Sequence, residues 1–415
     1  PRRFAVQALV LCPTRELADQ VTIEIRRLAR AEENIKVVTL CGGVALRGQR
    51  ASLEHGAHIV VGTPGRVMDH LERVDILVAT PGRLLDQMQS GRVDLSRLQL
   101  LVLDEADRML DMGFFDDIAT VTKQCPKERQ TLLFSATYPE GIEKLANQFM
   151  RDPVQIKVES QHAESLIEQR FYEVTRHNRL ATVAQLLNHF RPISTLAFCN
   201  TKQQCRDLVD VLRAQGFEAL ELHGDLDQRD RDQVLVRFSN RSCSVLVATD
   251  IAARGLDIDQ LQAVINVDIT PDPATHTHRI GRTGRVDAEG SAYSLASMDE
   301  MGAVGRIEKA QGAPSAWQPL TELTPAGTGP LRPPMATLQI MGGRKEKIRA
   351  GDVLGALTKD MGFAGSQIGK ININEFSTYV AVDRELAAQV LRKLSAGKVK
   401  GKSVRVRLLQ GTGED

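Results

Sequence analysis

Short apolar runs alternate with amphipathic helical patterns through the first 300 residues of the chain. Strands that are buried on both faces form continuous apolar runs, and parallel strands need helical crossovers that cover the sheet. Between these runs, apolar residues recur at steps of three and four, as on one face of a helix. The clearest predicted strands are Ala8–Cys12, Leu100–Leu103, Thr131–Phe134, Thr195–Cys199, Val245–Ala248 and Val264–Val267. The pattern predicts an α/β fold built on parallel sheets.

The length of 415 residues predicts more than one domain, because a single core rarely grows beyond about 250 to 300 residues. One boundary falls near residues 152–165, where Asp152, Pro153 and a polar run separate two comparable blocks. Another falls at residues 312–334, where six prolines predict an extended linker without a packed core. We expect an incomplete α/β domain at 1–155, a second α/β domain at 165–305, a linker at 306–334, and an α+β domain ordered strand, helix, strand, strand, helix, strand at 335–410.

The formal net charge of +1 is distributed unevenly. Residues 341–409 hold 14 Lys and Arg against 6 Asp and Glu, a net charge of +8, whereas the rest of the chain has a net charge of −7. A basic domain on an acidic body predicts a separate site for a polyanion. The alternative from charge alone is a solvated charged face.

The six cysteines are spread singly, without a Cys-x-x-Cys pair, so the sequence predicts neither a zinc site nor a disulfide framework. No stretch reaches the roughly 20 apolar residues of a membrane span, and the N-terminal residues lack a signal pattern. We therefore expect a protein of the reduced cytoplasm that does not bind membranes. Residue 1 is Pro, and a predicted strand follows within a few residues, so we also expect that the sequence begins inside a domain.

The residues Asp104-Glu105-Ala106-Asp107 directly follow the apolar strand Leu100–Leu103. In open α/β sheets ligands gather at the carboxyl ends of strands, where a carboxylate can reach Mg²⁺. Asp104 is placed for such a contact through water, and Glu105 could orient or deprotonate an attacking water. The alternative is an ordinary helix start, since acidic residues favour that end of a helix.

An ordered series of motifs surrounds the acidic tetrad. The first block contains Pro13–Ala18, Gly42-Gly43, Thr80–Arg83, Asp104–Asp107 and Ser135–Thr137. The second block contains Phe198–Thr201, Gln228–Arg231, Ala248–Asp250, Ala253–Asp257 and His278–Arg285. In this order the motifs closely resemble the DEAD-box family of ATP-dependent RNA helicases. The resemblance implies two RecA-like doubly wound domains, RNA-stimulated ATP hydrolysis, and ATP with Mg²⁺ as cofactors.

The resemblance also implies roles for individual residues. The implied catalytic residues are Asp104, Glu105, Asp107, Arg282 and Arg285. The implied nucleotide contacts are Asp104, Gly255, Asp257, Arg282 and Arg285, of which the two arginines resemble arginine fingers. Coupling between the nucleotide and RNA is implied for Ser135, Thr137 and His278. Surface salt bridges, a turn cap and ordinary strand-end hydroxyls are the alternative roles of such residues.

The RNA strand is expected to contact both domains through its phosphates and sugars, which carry no sequence information. The first-domain candidates are Arg15, Gly43, Thr80, Gly82 and Arg83, because glycines let the backbone approach phosphates and helix starts offer N–H donors. The second-domain candidates are Asn200, Gln228, Arg231 and Thr249. Contacts to the 2′-hydroxyl would favour RNA over DNA. A DNA helicase on the same core is disfavoured by the forms of the motifs.

The family's phosphate-binding loop, Gly-x-x-x-x-Gly-Lys-Thr/Ser, is expected upstream of Pro13, and only 12 residues precede that position. Gly401-Lys402-Ser403 is a decoy, because Ala396 stands where the first glycine belongs. We expect the chain as written to hydrolyse little ATP, which an RNA-stimulated phosphate-release assay can measure. The alternative function is a non-catalytic RNA-binding protein or an inactive fragment.

A strand, turn and helix start occur twice, as His58–Arg66 and Asp75–Arg83, and each copy ends in Thr-Pro-Gly-Arg. Counted from Gly42, the first copy has the position expected in the family. Counted back from Asp104, the second copy has it, and residues 75–90 resemble RhlE-type members. One slot in a sheet holds one strand. A tandem duplication, a sequence-assembly artefact and an insertion in a surface loop each explain the repeat.

The order of elements at 335–410 is that of an RNA-recognition motif, whose sheet stacks bases on aromatic side chains. Tyr379 is the only aromatic residue predicted in its third strand. The stretches Gly351–Leu357, Ile368–Ile371 and Lys398–Lys402 resemble the C-terminal domain of DbpA-type members. That resemblance implies binding to large-subunit ribosomal RNA, a role in subunit assembly, and a monomer. The expected phosphate contacts are Arg344, Lys345, Lys347, Lys370, Lys398, Lys400 and Lys402.

Overall fold

The computed structural model of the protein describes residues 8–11, 15–29, 35–40, 59–62, 98, 100–104, 106–111, 113–135, 140–156, 167–253, 261–284 and 289–409. The chain divides into two compact units, residues 1–158 with 255–257 and residues 159–254 with 258–415. Each unit contains parallel strands covered by helices, so the predicted α/β fold is confirmed.

The described strands of the first unit form two parallel groups. The strands are β1 (Ala8–Leu11), β2 (Val37–Leu40), β3 (Ile59–Gly62), β4 (Leu100–Leu103) and β5 (Gln130–Leu133). The helices are α1 (Arg15–Leu28), α2 (Ala106–Asp111), α3 (Phe115–Lys123) and α4 (Glu140–Phe149). β3 pairs with β1 and β2, and β4 pairs with β5. Leu103, Ile118 and Phe149 pack together, so helices α3 and α4 cover β4.

β3 belongs to the first copy of the repeated strand and turn. It lies between β1 and β2, and Val60 is in register with both Leu9 and Val38. The first copy therefore fills a central position of this sheet. The second copy, Asp75–Arg83, lies outside the described residues.

The second unit contains a seven-stranded parallel sheet in the order β12-β6-β11-β10-β7-β9-β8. Its strands are β6 (Ile167–Glu173), β7 (Thr195–Phe198), β8 (Ala219–Leu222), β9 (Val245–Ala248), β10 (Ala263–Asn266), β11 (Gly290–Ala296) and β12 (Trp317–Gln318). Its helices are α5 (Arg179–Phe190), α6 (Lys202–Ala214), α7 (Gln228–Ser239), α8 (Asp250–Ala253), α9 (Pro273–Ile280) and α10 (Met301–Gln311). The strand order changes direction around β7, so the carboxyl ends of β7, β9 and β10 adjoin at a switch point, where α/β sheets bind ligands.

The linker, predicted at residues 306–334, begins later than the sequence predicts. Residues 306–311 belong to α10, whose Val304 and Ile307 pack against Phe171 of β6, because apolar residues three apart share one face of the helix. The rest of the segment contains a 3-10 helix at Leu320–Glu322, and Leu320 and Leu323 pack against the core of the second α/β domain, although the sequence predicts no packed core there. β12 pairs with β6, and the guanidinium of Arg191 donates to the Gly329 carbonyl at 2.8 Å. The linker is thus attached to the second α/β domain.

The C-terminal module consists of an antiparallel sheet, in the order β14-β15-β13-β16, with helices on one face. Its elements are β13 (Met335–Met341), α11 (Ala350–Gly355), β14 (Ile368–Ile373), β15 (Ser377–Asp383), α12 (Ala387–Ala396) and β16 (Arg405–Leu409). The predicted order of elements is confirmed. Leu338, Val353 and Val390 lie in the core between sheet and helices, so Thr337, Gln339 and Met341 point to the opposite face.

The module is hydrogen-bonded to the loop that follows α7 of the second α/β domain. The hydroxyl oxygens of Thr337 and Ser242 are 2.7 Å apart, and the Asn240 amide donates to Thr337 at 3.2 Å. Arg384 forms an ion pair with Glu218 at 3.2 Å. Thr337 is 0% exposed, although it points away from the core of its own module. One end of the module's sheet face is therefore covered by the second α/β domain.

Candidate functional site

Two strand ends bring three predicted site residues to one edge of the first unit. Asp104 follows β4 and is exposed, whereas Asp107 in α2 is buried. Ser135 follows β5, which is parallel to β4. The backbone N–H of Phe134 donates to Leu103 at 2.8 Å, and that of Ala106 donates to Phe134 at 3.0 Å. These bonds fix the start of α2 beside the end of β5.

Several predicted site residues lie outside the described part of the chain, and they stay predictions. They are Gly43, Thr80, Gly82, Arg83, Glu105, Thr137, Gly255, Asp257 and Arg285. Arg15 begins α1, and its side chain is likewise not described.

A buried arginine joins three strand ends in the second unit. Arg279 of α9 is 2% exposed, and its Nε and Nη2 each donate to the Asp250 carboxylate at 2.7 Å. Its Nη2 also donates to the Asn200 side-chain oxygen at 3.0 Å, and its Nη1 to the Asp268 carbonyl at 2.7 Å. Asn200, Asp250 and Asp268 follow β7, β9 and β10 in turn. Arg279 thus holds together the switch point of the sheet.

The carboxylate of Asp268 carries a second set of bonds at the same edge. It accepts from the Arg179 guanidinium at 2.9 Å, from the Asn200 backbone N–H at 2.8 Å, and from the Gln204 amide at 2.8 Å. Arg179 also pairs with Glu300. Burial raises the pKa of Glu300, but hydrogen bonds from Arg179 and Ser297 outweigh it and hold that pKa below its usual value. The charges of this edge are therefore paired within it.

The other second-domain candidates surround this edge. The guanidinium of Arg231 donates to the Ala252 carbonyl at 2.8 Å, which joins α7 to α8. Gln228 begins α7, and the backbone N–H of Thr249 donates to Leu222 at 3.3 Å. Arg282 is half-buried just after α9, and its backbone N–H donates to the Arg279 carbonyl at 3.2 Å. His278 lies in α9 beside Arg279.

Arg179, Asp250, Asp268 and Arg279 form the centre of this edge, and the sequence did not single them out as site residues. A signal was present for three of them, since Asp250 ends the motif Ala248–Asp250. Asp268 follows the predicted strand Val264–Val267, as Asp104 follows its own strand, and Arg279 lies inside the motif His278–Arg285. Arg179 stands in an otherwise ordinary helix and carries no such signal.

The three lysines predicted at the end of the module do not share one environment. Lys398 and Lys402 are exposed. Lys400 occupies a tight turn with Gly401, and their φ angles of 53° and 76° lie in the left-handed region, as in a type I′ turn. The Lys400 ammonium donates to the Lys347 carbonyl and lies 3.6 Å from the Asp352 carboxylate. Its charge is therefore partly used within the module.

The sheet face that the sequence predicts to stack bases is closed at its centre. Tyr379 is 4% exposed, and the amide of Gln339 donates to its hydroxyl at 3.1 Å. The guanidinium of Arg407 donates to the Gln339 side-chain oxygen at 2.7 Å. Tyr379 is thus part of a hydrogen-bonded row across three strands, with little of its ring open to a base.

Within the described residues, no three His, Cys, Asp or Glu side chains cluster as ligands for a metal ion. Over the same residues, no helix combines the length and apolar character needed to cross a membrane.

Three family profiles match the chain in order. DEAD/DEAH box helicase matches residues 2–74 and 70–145, Helicase conserved C-terminal domain matches 178–287, and DbpA RNA binding domain matches 337–408. The two segments of the first profile overlap at residues 70–74. That overlap lies between the two Thr-Pro-Gly-Arg copies, so the profile is matched on both sides of the repeat.

Individual relatives match nearly the whole chain. The ATP-dependent RNA helicase DbpA of Escherichia coli K12 is 49% identical over 407 residues, which cover 98% of this chain and 85% of the relative. The ATP-dependent RNA helicase DbpA of Bacillus subtilis 168 is 36% identical over 421 residues, covering 96% and 84%.

A solved structure of Saccharomyces cerevisiae Dbp5 bound to RNA and ADP BeF3 is similar, with a TM-score of 0.62 and 28% identity over 76% of this chain and 78% of that one. The structure of Mss116p bound to ssRNA and AMP-PNP has a TM-score of 0.59 and 26% identity over 76% of this chain and 64% of that one. The two α/β domains are therefore RecA-like. Given all three profiles and the identity to two relatives, this chain belongs to the DEAD-box ATP-dependent RNA helicases and is of the DbpA type.

Proposed function

We propose that the protein couples ATP hydrolysis to local unwinding of RNA duplexes during assembly of the large ribosomal subunit, acting as a cytoplasmic monomer. The observation that carries the proposal is the C-terminal module, which matches the DbpA RNA binding domain and has a net charge of +8 over residues 341–409. Because the module is hydrogen-bonded to the second α/β domain, RNA held by the module stays beside that domain.

For nucleotide chemistry, we assign the exposed carboxylate of Asp104 to Mg²⁺ through water. The position fits, because Mg²⁺ keeps several waters and binds one or two carboxylates beside substrate phosphates. Bound Mg²⁺ would neutralise charge on the phosphates of ATP. Glu105 then orients or deprotonates the attacking water, and Asp107 with Ser135, Thr137 and His278 couples nucleotide and RNA. The nucleotide contacts are Asp104, Gly255, Asp257, Arg282 and Arg285.

For RNA, we assign phosphate and sugar contacts to the edge of the second domain and to the loops of the first. Similarity to the Dbp5 structure that holds RNA and ADP BeF3 supports this assignment. The candidates are Arg15, Gly43, Thr80, Gly82, Arg83, Asn200, Gln228, Arg231 and Thr249. Asn200 is well suited, because Arg279 fixes its side-chain oxygen and Asp268 accepts from its backbone N–H.

The proposal is tested with a form of the protein that carries a phosphate-binding loop before Pro1. ATP hydrolysis and unwinding of a short RNA duplex are measured with large-subunit ribosomal RNA, and compared with unrelated RNA of equal length and with DNA. We expect ribosomal RNA to stimulate both activities most, and DNA to stimulate neither. Equal stimulation by unrelated RNA would remove the ribosomal part of the proposal.

Neutralising Lys398 and Lys402 together, as Lys398→Gln with Lys402→Gln, is expected to reduce the slope of log affinity against log salt by about 2, because each phosphate contact contributes nearly one unit. Lys400→Gln is expected to change that slope less, since the Lys400 ammonium is engaged by Lys347 and Asp352. The measurement is RNA affinity at several salt concentrations.

Lys309→Gln is the matched control, since this exposed lysine lies on α10 outside the module. A slope that stays constant in the double variant would mean that Lys398 and Lys402 form a solvated charged face.

A further inference from the structure

The module has one aromatic side chain in a position to meet a ligand. Residues 335–409 are all described, and their aromatic residues are Phe363, Phe376 and Tyr379. Phe363 and Tyr379 are 7% and 4% exposed, whereas Phe376 is 50% exposed. Leaving half of a phenyl ring in water forgoes the stabilisation that burial would provide. Phe376 is thus the exposed aromatic residue of a module whose closed sheet face offers none.

Phe376 is held at the turn between β14 and β15 by a neighbouring loop. The backbone N–H groups of Arg344 and Lys345 donate to the carbonyls of Asn374 and Glu375 at 2.9 and 3.1 Å. A Cβ at Gly343 would lie 2.2 Å from the Asn374 carbonyl oxygen, so glycine is required for this approach. The loop after β13 and the turn between β14 and β15 are therefore hydrogen-bonded to each other, and Phe376 lies on this turn.

One cationic group lies over the exposed ring. The Lys345 ammonium lies 4.2 Å from the ring centroid and 3.9 Å from the Glu375 carboxylate, and its side chain is 51% exposed. Met341 is 53% exposed and is in register with Ser377, the residue after Phe376. Arg405 is in register with Met341 on its other side and is exposed. This end of the sheet, away from the second α/β domain, combines apolar area with positive charge.

We propose that Phe376 is a stacking platform for an unpaired RNA base, with Lys345 and Arg405 contacting the phosphates on either side of that base. Single-stranded RNA is bound by this combination, because every base has a π-face and every linkage carries a negative charge. A protein partner fits less well, since charged side chains are depleted from the core of protein interfaces. The proposal rests on the RNA-binding function proposed above.

Phe376→Ala is expected to weaken binding of large-subunit ribosomal RNA by the full chain about 5- to 150-fold, the range found when stacking residues are removed. The salt slope is expected to stay unchanged, because no charge is lost. Lys345→Gln is expected to weaken binding and also to lower the slope by about one, because it removes a phosphate contact. Leu354→Ala removes a 40% exposed apolar side chain from α11 and is the matched control, with affinity unchanged.

Phe376→Trp provides a direct readout that does not depend on a loss of affinity. The chain contains one native tryptophan, whose signal is subtracted using the unsubstituted protein. An RNA hairpin with an unpaired loop is expected to quench the new tryptophan, whereas a fully paired RNA duplex of equal charge is expected to leave it unchanged. Equal quenching by both RNAs would overturn the stacking proposal.

The two proposals can fail separately. If the unsubstituted protein shows no preference for ribosomal RNA but the hairpin quenches Trp at position 376, the ribosomal role fails and the stacking site stands. If ribosomal RNA binds tightly and Phe376→Ala retains full affinity, the stacking site fails and the ribosomal role stands. Thermal unfolding of each variant separates lost binding from lost folding.

Discussion

Arg282→Ala is expected to lower the rate of RNA-stimulated ATP hydrolysis by about 10³- to 10⁵-fold, the contribution of an arginine finger to phosphoryl transfer. Arg282 follows α9 directly, and its backbone N–H donates to Arg279, the buried residue that fixes the helix. Arg282 therefore directly follows a helix that buried hydrogen bonds hold in place, and preorganised groups stabilise a developing charge at lower cost. The measurement is kcat at saturating RNA and ATP, in a form that carries the phosphate-binding loop.

The control for Arg282 is Lys309→Ala, which removes an exposed cation from α10 of the same domain. We expect its kcat to equal that of the unsubstituted protein. RNA affinity without nucleotide should be equal in all three proteins, because Arg282 is not among the proposed RNA contacts. A loss of less than tenfold in kcat would show that Arg282 does not contact the transferring phosphoryl group.

Six strands of the two α/β domains could be predicted, because burial on both faces of a strand gives a continuous apolar run in the sequence. Val245–Ala248 is such a run, and it is a strand with these bounds. The position of Asp104 followed from the same pattern, since a carboxylate directly after a buried strand lies at the sheet edge. The local sequence was therefore enough to predict the α/β fold and the position of Asp104 at the edge of the first sheet.

The burial of one sheet face of the module by the second α/β domain could not be predicted from the local sequence. Thr337 and Gln339 alternate with apolar residues, a pattern that predicts a solvated outer face. Thr337 is nevertheless 0% exposed, because Asn240 and Ser242, almost a hundred residues earlier, meet it from another domain. The pairing depends on how two domains meet, and neither segment reveals this by itself.

The environments of individual lysines and arginines could not be predicted from the local sequence either. Lys398, Lys400 and Lys402 look equivalent in sequence, but the left-handed turn at Lys400 directs its ammonium to Lys347 and Asp352. Arg279 and Arg282 lie in one motif, and Arg279 is buried while Arg282 is half-exposed. The sequence identifies the residue type, and the tertiary contacts decide whether its charge serves the fold or a ligand.

Arg279→Ala is expected to lower the free energy of unfolding of the second α/β domain by about 3 kcal/mol, the lower end of the cost of removing one partner from a buried ion pair. The lower end applies because the Asp250 side chain is 27% exposed and can recover some hydration. The substitution also leaves the Asn200 side chain and the Asp268 carbonyl without this donor. Since these groups end three adjacent strands, the loss loosens the whole switch point.

The unfolding of this domain can be followed through Trp317, the one tryptophan of the chain, which lies on β12 beside Phe171 at a ring-centroid distance of 5.6 Å. Denaturant titration of the fluorescence gives the free energy of unfolding. The free energy of unfolding of Arg279→Lys is expected to lie between those of the unsubstituted protein and Arg279→Ala. Lysine keeps the charge but lacks the planar guanidinium that makes two hydrogen bonds to Asp250.

The contrast is Arg176→Ala, which breaks an ion pair with Asp299 whose side chains are 82% and 56% exposed. Solvent screens such an exposed pair, so the unfolding midpoint of Arg176→Ala should match that of the unsubstituted protein. If Arg279→Ala were as stable as Arg176→Ala, the buried arginine would not hold the strand ends together. In that case, the effect of Arg282→Ala could no longer be traced to a helix fixed by Arg279.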